Sequence, residues 1–178
     1  MEWPRPWYRV LFAPWRMAYI KGEERREGCV FCTAPSLENR EALIVYRGSR
    51  AYVILNKYPY NTGHVMVVPY RHVPSLADLT LDELAEMGLL VKASIISLQE
   101  VYKPHGFNVG VNMGEAAGAG IAGHVHVHIL PRWVGDTNFT VITSATKVVP
   151  EALEDTWEKL RKVFPKAVEK AARSNERG

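Results

Sequence analysis

The sequence has little that would mark a membrane, secreted or repetitive protein. No apolar run approaches the roughly 18 residues that a membrane-spanning helix needs. Prolines and arginines interrupt the apolar residues of segment 1–22, so this segment lacks a signal-peptide core, which takes about 7–15 apolar residues. Internal repeats and low-complexity segments are also missing. We therefore expect a cytoplasmic protein.

Charge of one sign is not in large excess either. Lysine and arginine number 22 against 19 acidic residues, a net charge of +3, and the basic residues are spread along the chain. This distribution argues against duplex nucleic acid as a partner and leaves a small anion open. Hydrophobic residues make up 47% of the 178 positions and charged residues 23%. Such a composition excludes a disordered chain and fits one domain.

The periodicity of the apolar residues predicts an α+β fold with a mainly antiparallel sheet of about five strands. A long helix begins at a capping box, Thr80 to Glu83, and ends before Pro104. A C-terminal helix over 151–163 ends near Pro165. The predicted strands, the first two joined as a hairpin, are 42–46, 51–55, 64–68, 106–112 and 124–130.

The composition and periodicity of the sequence divide the chain into three segments. Residues 1–28 are rich in Trp, Pro and Arg without a period, which predicts an irregular arm that packs on the domain or on a dimer partner. Residues 29–145 form the central domain. Residues 146–178 form a helical extension packed on the same domain.

Three of the six histidines, His124, His126 and His128, stand at alternate positions of the last predicted strand. Residues i, i+2 and i+4 of a strand share a face, so the three imidazoles point one way while Val125 and Val127 point into the core. Propensity for β-structure does not explain three histidines in register on a strand of Val and Ile. The pattern indicates a functional site.

A glycine-rich segment, 112–123, precedes these histidines and holds four glycines in twelve positions. Such a loop lets backbone N–H groups approach an anion closely, although glycine-rich loops also serve as plain connections. Beside three histidines the loop favours a phosphate site. Together the two segments offer a nucleophile, orienting imidazoles and amide donors, as phosphoryl or nucleotidyl transfer requires.

The segment HVHVHIL (124–130) has the pattern His-φ-His-φ-His-φ-φ, where φ is apolar, and here the chain resembles the histidine-triad (HIT) superfamily of nucleotide hydrolases and transferases. The resemblance covers residues 29 to 140 and implies a HIT-like fold. Further matching segments occur in family order: Leu55-Asn56, GHVMVVP (63–69), Asn112-x-Gly114, Ala117-Gly118 and Pro131-Arg132. The segments VVPYRHV (67–73), PHGFNVGVN (104–112) and PRWVGDTNF (131–139) are similar to the diadenosine tetraphosphate phosphorylase branch.

The resemblance implies a reaction and a role for each site residue. His126 attacks the α-phosphorus of a dinucleoside polyphosphate and forms a nucleotidyl-histidine, which phosphate or water then cleaves. A backbone carbonyl of the triad strand fixes the tautomer of the neutral ring. The other residues that the resemblance assigns are His64 and His128 beside the phosphate, His124 as the remaining catalytic histidine, Asn56 on the ribose hydroxyls, and Asn112 with the amides of Gly118, Ala119 and Gly120 on the phosphate oxygens.

Two adjacent positions depart from the family pattern. Many members carry Gln-Ser or Gln-Thr before the triad's apolar lead-in, where this chain has Ala119-Gly120. A phosphoramidase must protonate a poor amine leaving group, and no side-chain acid stands at this place. The departure disfavours the alternative function, a Hint-like purine nucleoside phosphoramidase, and favours a nucleotide phosphate as leaving group.

The sequence has only two cysteines, Cys29 and Cys32, in one C-x-x-C pair. The pair is a poor disulfide framework and a redox role would need a thioredoxin-like context, so half of a metal site is the better interpretation. In some bacterial members of the resembled superfamily, such a pair binds a structural zinc with two histidines. Here these would be His72 and His124, and the set suits Zn²⁺. We expect no organic cofactor.

The residues leave two further functions as alternatives. A nucleotide-binding protein without turnover is disfavoured because the triad is intact, and a hydrolase with the triad as metal ligands is disfavoured because no carboxylate base lies nearby in sequence. The resemblance also implies a homodimer that binds a purine nucleotide or a dinucleoside polyphosphate. Aromatic residues of the arm, with Tyr102, Phe107 and Trp133, loosely support the dimer. We assign His105 to a turn.

Overall fold

Five strands form one antiparallel sheet in the order β1-β2-β3-β5-β4, in a computed structural model that describes residues 28–136, 143 and 149–173. The predicted α+β class is confirmed. The arm predicted for 1–28 lies outside the described residues apart from Gly28, and the limits of the three segments stay predictions. The strands are β1 (Ile44–Arg47), β2 (Ala51–Leu55), β3 (Val65–Pro69), β4 (Gly106–Val111) and β5 (Val127–Arg132), and the α-helices are α1 (Val30–Thr33), α2 (Asn39–Ala42), α3 (Leu81–Tyr102) and α4 (Leu153–Arg173).

The two faces of the sheet bury different groups. The long helices α3 and α4 pack on one face, where Val67, Val127 and Ile129 belong to the larger core. The opposite face carries a smaller apolar cluster that includes Met66. His128 pairs with Met66 across β3 and β5, and directly opposite residues share a face. The histidine side of the sheet is therefore the one that the long helices leave uncovered.

Helix α3 begins at the predicted capping box. The Thr80 hydroxyl accepts from the amide of Glu83, and the Glu83 carboxylate accepts from the amide of Thr80. Such a cap contributes about 0.5–2 kcal/mol. The helix ends at Tyr102, followed by Lys103 in the left-handed conformation at φ 47°, and Pro104 prevents its continuation.

The predicted end of the C-terminal helix near Pro165 is wrong. Helix α4 continues to Arg173 with Pro165 in its interior. Pro165 is exposed, while Phe164 and Ala167 beside it are buried in the larger core. A proline inside a helix costs about 3 kcal/mol or more. Burying a phenylalanine alone contributes about 1.5–3 kcal/mol, so packing on the sheet offsets the local preference to stop.

The triad segment is a regular strand only in its second half. Strand β5 begins at Val127 and not at His124 as predicted, because β3 pairs with β5 only from Val127 onward. Upstream, the amide of Val125 donates to the carbonyl of Val73, 2.7 Å away, in the segment after β3. Alternation persists nevertheless, since Val125 joins Val127 in the larger core.

The first predicted strand is also displaced. Strand β1 covers 44–47 and not 42–46, because Ala42 ends helix α2 and Leu43 turns through the left-handed conformation at φ 58°. Strand β3 covers 65–69 and not 64–68, and its last residue, Pro69, pairs with Ala51. Because β5 pairs with β3 only as far as Val67, Pro69 has an unpaired side, as at a sheet edge, where a proline is tolerated. No helix in the described part of the chain is long and apolar enough to cross a bilayer.

Candidate active site

The ring of His126 is held by the backbone of the triad segment. Its Nδ1 lies 2.9 Å from the carbonyl oxygen of His124, and because a carbonyl only accepts, Nδ1 carries the proton and Nε2 keeps its lone pair. The side chain is buried, and this burial lowers the pKa of His126. The ring is therefore neutral near pH 7, with an unprotonated Nε2, as a nitrogen nucleophile requires. The backbone acceptor implied by the family resemblance is present.

Beside His126, the side chains of His64 and His128 are joined by a hydrogen bond. The amide of Tyr60 donates to Nδ1 of His64 over 3.2 Å, so the proton of His64 is on Nε2. That nitrogen lies 2.9 Å from Nδ1 of His128 and donates to it. The proton of His128 is consequently on its Nε2. Since the rings of His126 and His128 are 4.7 Å apart between centroids, this donor stands beside the nucleophile.

Burial and the neighbouring imidazoles keep this pair neutral. Desolvation, together with the nearby rings of His128 and His126, lowers the pKa of His64 to about 3. Desolvation with the nearby His126 lowers the pKa of His128 to about 4. At neutral pH the pair therefore acts through N–H donors. A bound phosphate would favour the charged form of His128, because an opposite charge nearby raises the pKa of an imidazole.

The residues predicted to bind metal lie together. One ligand atom from each of Cys29, Cys32, His72 and His124 falls within 4.8 Å of all the others, and we call this group the Cys₂His₂ centre. A tetrahedral zinc with Zn–S of about 2.3 Å and Zn–N of about 2.0–2.1 Å implies S···N edges of about 3.6 Å and N···N edges of about 3.3 Å. The Nδ1 of His124 lies 3.4 Å from the sulfur of Cys29, 3.6 Å from that of Cys32 and 3.3 Å from Nδ1 of His72. These edges fit zinc.

The tautomer of His124 also fits. Its Nε2 donates to the carbonyl of Pro69 over 2.9 Å, which leaves the Nδ1 lone pair directed at the centre, in the outer-shell arrangement usual for metal-binding histidines. On the other side, Arg71 makes a two-pronged ion pair with Glu83 at 2.6 and 2.7 Å. This pair ties the segment that carries His72 to the start of α3. The sequence motifs assign no role to Arg71.

Asn56 lies at the base of the loop that leads to His64. Its side-chain Oδ1 accepts from the backbone amide of Tyr58 over 2.8 Å, and its backbone amide donates to the carbonyl of His64 over 3.0 Å. The side chain therefore closes a local turn. Sequence reasoning assigned it only to a ribose. The loop also presents Tyr60, another residue that the motifs missed, whose ring is 4.9 Å from that of His64.

The glycine-rich loop differs from its predicted role in part. The amide of Gly118 donates to the carbonyl of Glu115 over 2.9 Å, and the amide of Ala119 donates to that of Gly114 over 3.3 Å. These two amides close a turn, with Gly118 at φ 82°, and so do not face outward as phosphate donors. Within the described residues, the amide of Gly120 takes no part in this turn.

A cleft of about 210 Å³ lies beside the triad. It is smaller than the roughly 300–1,000 Å³ of ordinary ligand pockets, so it fits one part of an extended ligand. Its walls are Tyr60, Asn108, Val109, Gly110, Asn112, His128 and Leu130. A larger cavity of about 400 Å³ between the β1–β2 turn, α3 and α4 contains none of the predicted site residues.

His105 lies in the connection between α3 and β4, where hydrogen bonds tie it to the end of β5 and the residues after it. Its Nδ1 accepts from the amide of Val134 over 2.9 Å, and its amide donates to the carbonyl of Arg132 over 2.8 Å.

Comparison with known proteins agrees with this geometry. The family model described as HIT domain matches residues 38–134. The chain is 45% identical over 154 residues to AP-4-A phosphorylase of Mycobacterium tuberculosis, covering 82% of this chain and 79% of that protein. A hypothetical histidine triad nucleotide-binding protein from Sulfolobus tokodaii has a crystal structure that is 32% identical with a TM-score of 0.62, covering 82% of this chain and 95% of that one. A Zn-bound histidine triad family protein from Mycobacterium smegmatis is 25% identical with a TM-score of 0.64, covering 80% and 97%. The chain therefore belongs to the HIT domain family, as its sequence motifs predicted.

Proposed function

We propose that this protein cleaves dinucleoside polyphosphates at the α-phosphate through a nucleotidyl-His126 intermediate. The observation that carries the proposal is the neutral ring of His126, whose Nδ1–H is held by the carbonyl of His124 and whose Nε2 is unprotonated. The similarity to AP-4-A phosphorylase supports the substrate class. A bis(5'-nucleosyl)-tetraphosphatase of Schizosaccharomyces pombe, 37% identical over 93 residues, supports it too.

In the first step, Nε2 of His126 forms a bond to the α-phosphorus while the bond from that phosphorus to the bridging oxygen breaks. The leaving nucleoside polyphosphate departs as an anion and needs no strong acid. Positive charge that develops on the ring is shared with the Nδ1–H···O=C bond to His124. The Nε2–H of His128, fixed by its bond to His64, donates to an oxygen of the phosphate.

In the second step, an acceptor oxygen attacks phosphorus and the bond to Nε2 of His126 breaks, which returns the lone pair to the ring. Phosphate as acceptor yields the nucleoside diphosphate, and water yields the nucleoside monophosphate with a proton released to solvent. We assign the phosphate oxygens to Asn112 and the amide of Gly120, besides His128. Asn112 lines the cleft next to His128. Among the described residues the side-chain N–H groups of Asn56 have no hydrogen-bond acceptor, since only its Oδ1 is bonded, and we assign them to the ribose hydroxyls.

We propose the Cys₂His₂ centre as a structural zinc site. The three edges that meet at Nδ1 of His124 match a zinc tetrahedron, and a Zn-bound histidine triad family protein is among the solved structures with this fold. When bound, zinc would supply a fixed crosslink between α1, the segment after β3 and the triad segment. It would take no part in the transfer itself.

We also propose that the protein is a cytoplasmic homodimer. Each chain would consist of the three segments predicted from the sequence. Strand β4 supports the dimer, because it lies at one edge of the sheet and exposes residues 108–110, including Val109 at 47% exposure. The backbone groups of an edge strand form a surface for pairing with another chain. Light scattering of the purified protein would report the mass in solution.

Product analysis tests the proposed reaction. The protein is incubated with diadenosine tetraphosphate, with and without inorganic phosphate, and the nucleotides are separated. ADP with ATP identifies phosphorolysis, and AMP with ATP identifies hydrolysis. An adenosine phosphoramidate is the comparison substrate, and faster turnover of that compound would replace the proposal with the phosphoramidase function. No turnover of either compound would leave the nucleotide-binding alternative.

A further inference from the structure

Phe31 stands between the two cysteines of the Cys₂His₂ centre and touches the nucleophile. Its ring centroid lies 4.8 Å from that of His126 and 5.5 Å from that of His124. The side chain is only 4% exposed. Phe31 therefore forms a buried wall against the reacting imidazole.

The position of Phe31 depends on contacts outside its own helix. Helix α1 has four residues, too few to be stable alone. Cys29 precedes it and Cys32 lies in it, and both sulfurs belong to the Cys₂His₂ centre. The hydroxyl of Tyr52 in β2 donates to the carbonyl of Phe31 over 2.7 Å in the buried interior. The sheet and the centre thus fix Phe31 from two directions.

The ring of His126 needs more than its one hydrogen bond. The bond from Nδ1 to the His124 carbonyl fixes one ring atom but leaves the ring free to tilt about that atom. Phe31 and His128 are the rings that contact His126 in the described structure. A reacting atom displaced by about 1 Å can slow a reaction about 100-fold, so contact with the ring has a direct effect on rate.

We propose that Phe31 is a positioning residue for His126, held against it by the Cys₂His₂ centre. The centre would then act on the nucleophile by two routes, through the backbone of His124 and through the ring of Phe31. The inference rests on the proposed function of His126.

The test compares Phe31→Leu with Phe164→Leu, a matched loss of a buried phenylalanine from α4, far from the histidines. In zinc-loaded protein at saturating diadenosine tetraphosphate, we expect Phe31→Leu to form the adenylyl-His126 adduct roughly 10- to 100-fold more slowly than the parent. Phe164→Leu should form it at the parental rate, although both lose stability. KM should stay within about twofold of the parent in both, since uniform binding is unchanged. Phe31→Met replaces Phe31→Leu if the latter does not fold.

Two further readouts separate positioning from a general structural effect. The rate penalties of Phe31→Leu and Cys32→Ser should not add in the double variant, because both release the same ring, whereas Phe164→Leu and Cys32→Ser should add. In ¹H–¹⁵N imidazole spectra, the Nδ1–H resonance of His126 should be sharp in the parent and broadened in Phe31→Leu.

Each outcome decides the inference. Equal adduct rates in the parent and Phe31→Leu, or a loss confined to KM, would overturn it, and full additivity with Cys32→Ser would overturn the coupling to the centre. If the parent forms no adduct, the proposed function fails. The imidazole resonance then decides alone whether Phe31 fixes the ring.

Discussion

The imidazole of His126 is hydrogen-bonded to the backbone of the residue whose own imidazole faces the Cys₂His₂ centre. Nδ1 of His126 lies 2.9 Å from the carbonyl oxygen of His124, and Nδ1 of His124 lies 3.4 Å from the sulfur of Cys29. One residue therefore sets the tautomer of the nucleophile and contributes to the metal-binding group. The reactive nitrogen and the structural centre cannot move independently.

Zinc should be present at one ion per chain in protein purified without chelator. Cys29→Ser removes a thiolate from the Cys₂His₂ centre and should lower both the zinc content and the thermal stability, because metal binding is coupled to folding. Metal analysis with a thermal scan measures the two effects. Zinc-free protein with full stability would mean that the cysteines only pack.

Stability should fall as the pH falls from about 6.5 toward 4. An unfolded histidine binds its proton near pH 6.5, whereas the folded pKa is about 3 for His64 and about 4 for His128. Between these values the unfolded chain binds more protons, so the free energy of unfolding decreases with acid by about 1.4 kcal/mol per pH unit for each histidine.

Urea unfolding at several pH values between 7 and 5 measures that slope. His64→Gln removes one of the two buried histidines and should make the slope shallower, whatever it does to stability at neutral pH. An unchanged slope in this variant would contradict the assignment of His64 as a buried neutral base.

Asn56→Ala should raise KM for ribonucleotides, at a cost of about 1–3 kcal/mol for the lost hydrogen-bond partner. A deoxyribose analogue should be discriminated by the parent and hardly by the variant, because both changes delete one contact and should not add. Asn56→Asp keeps an oxygen for the Tyr58 amide, so it controls for the turn. Fully additive penalties would remove Asn56 from the nucleoside site.

The sequence predicts those features that depend only on residues close together in the chain. Alternate histidines require only the period of a strand, and the capping box of α3 requires only Thr80 and Glu83. The grouping of Cys29, Cys32 and His72 with the triad came from family resemblance, and the structure brings all four ligands together.

Features fixed by contacts distant in the chain could not be predicted in this way. The helical path through Pro165 follows from burial of its neighbours in α4. The contact of Phe31 with His126 depends on a four-residue helix, which no local propensity predicts. The amides of Gly118 and Ala119 close a turn, a choice that a glycine-rich composition leaves open.

The covalent adduct on His126 is the most direct test of the account. Parent protein is mixed with diadenosine tetraphosphate, quenched within milliseconds and digested, and the triad peptide is examined by mass spectrometry. We predict an adenylyl group on His126 in the parent and in the control His105→Ala, whose histidine lies before β4, outside the site. His126→Ala should carry no adduct and lose more than about 1,000-fold in turnover while keeping its fold. Turnover of His126→Ala within tenfold of the parent, or an adduct on another residue, would contradict the account.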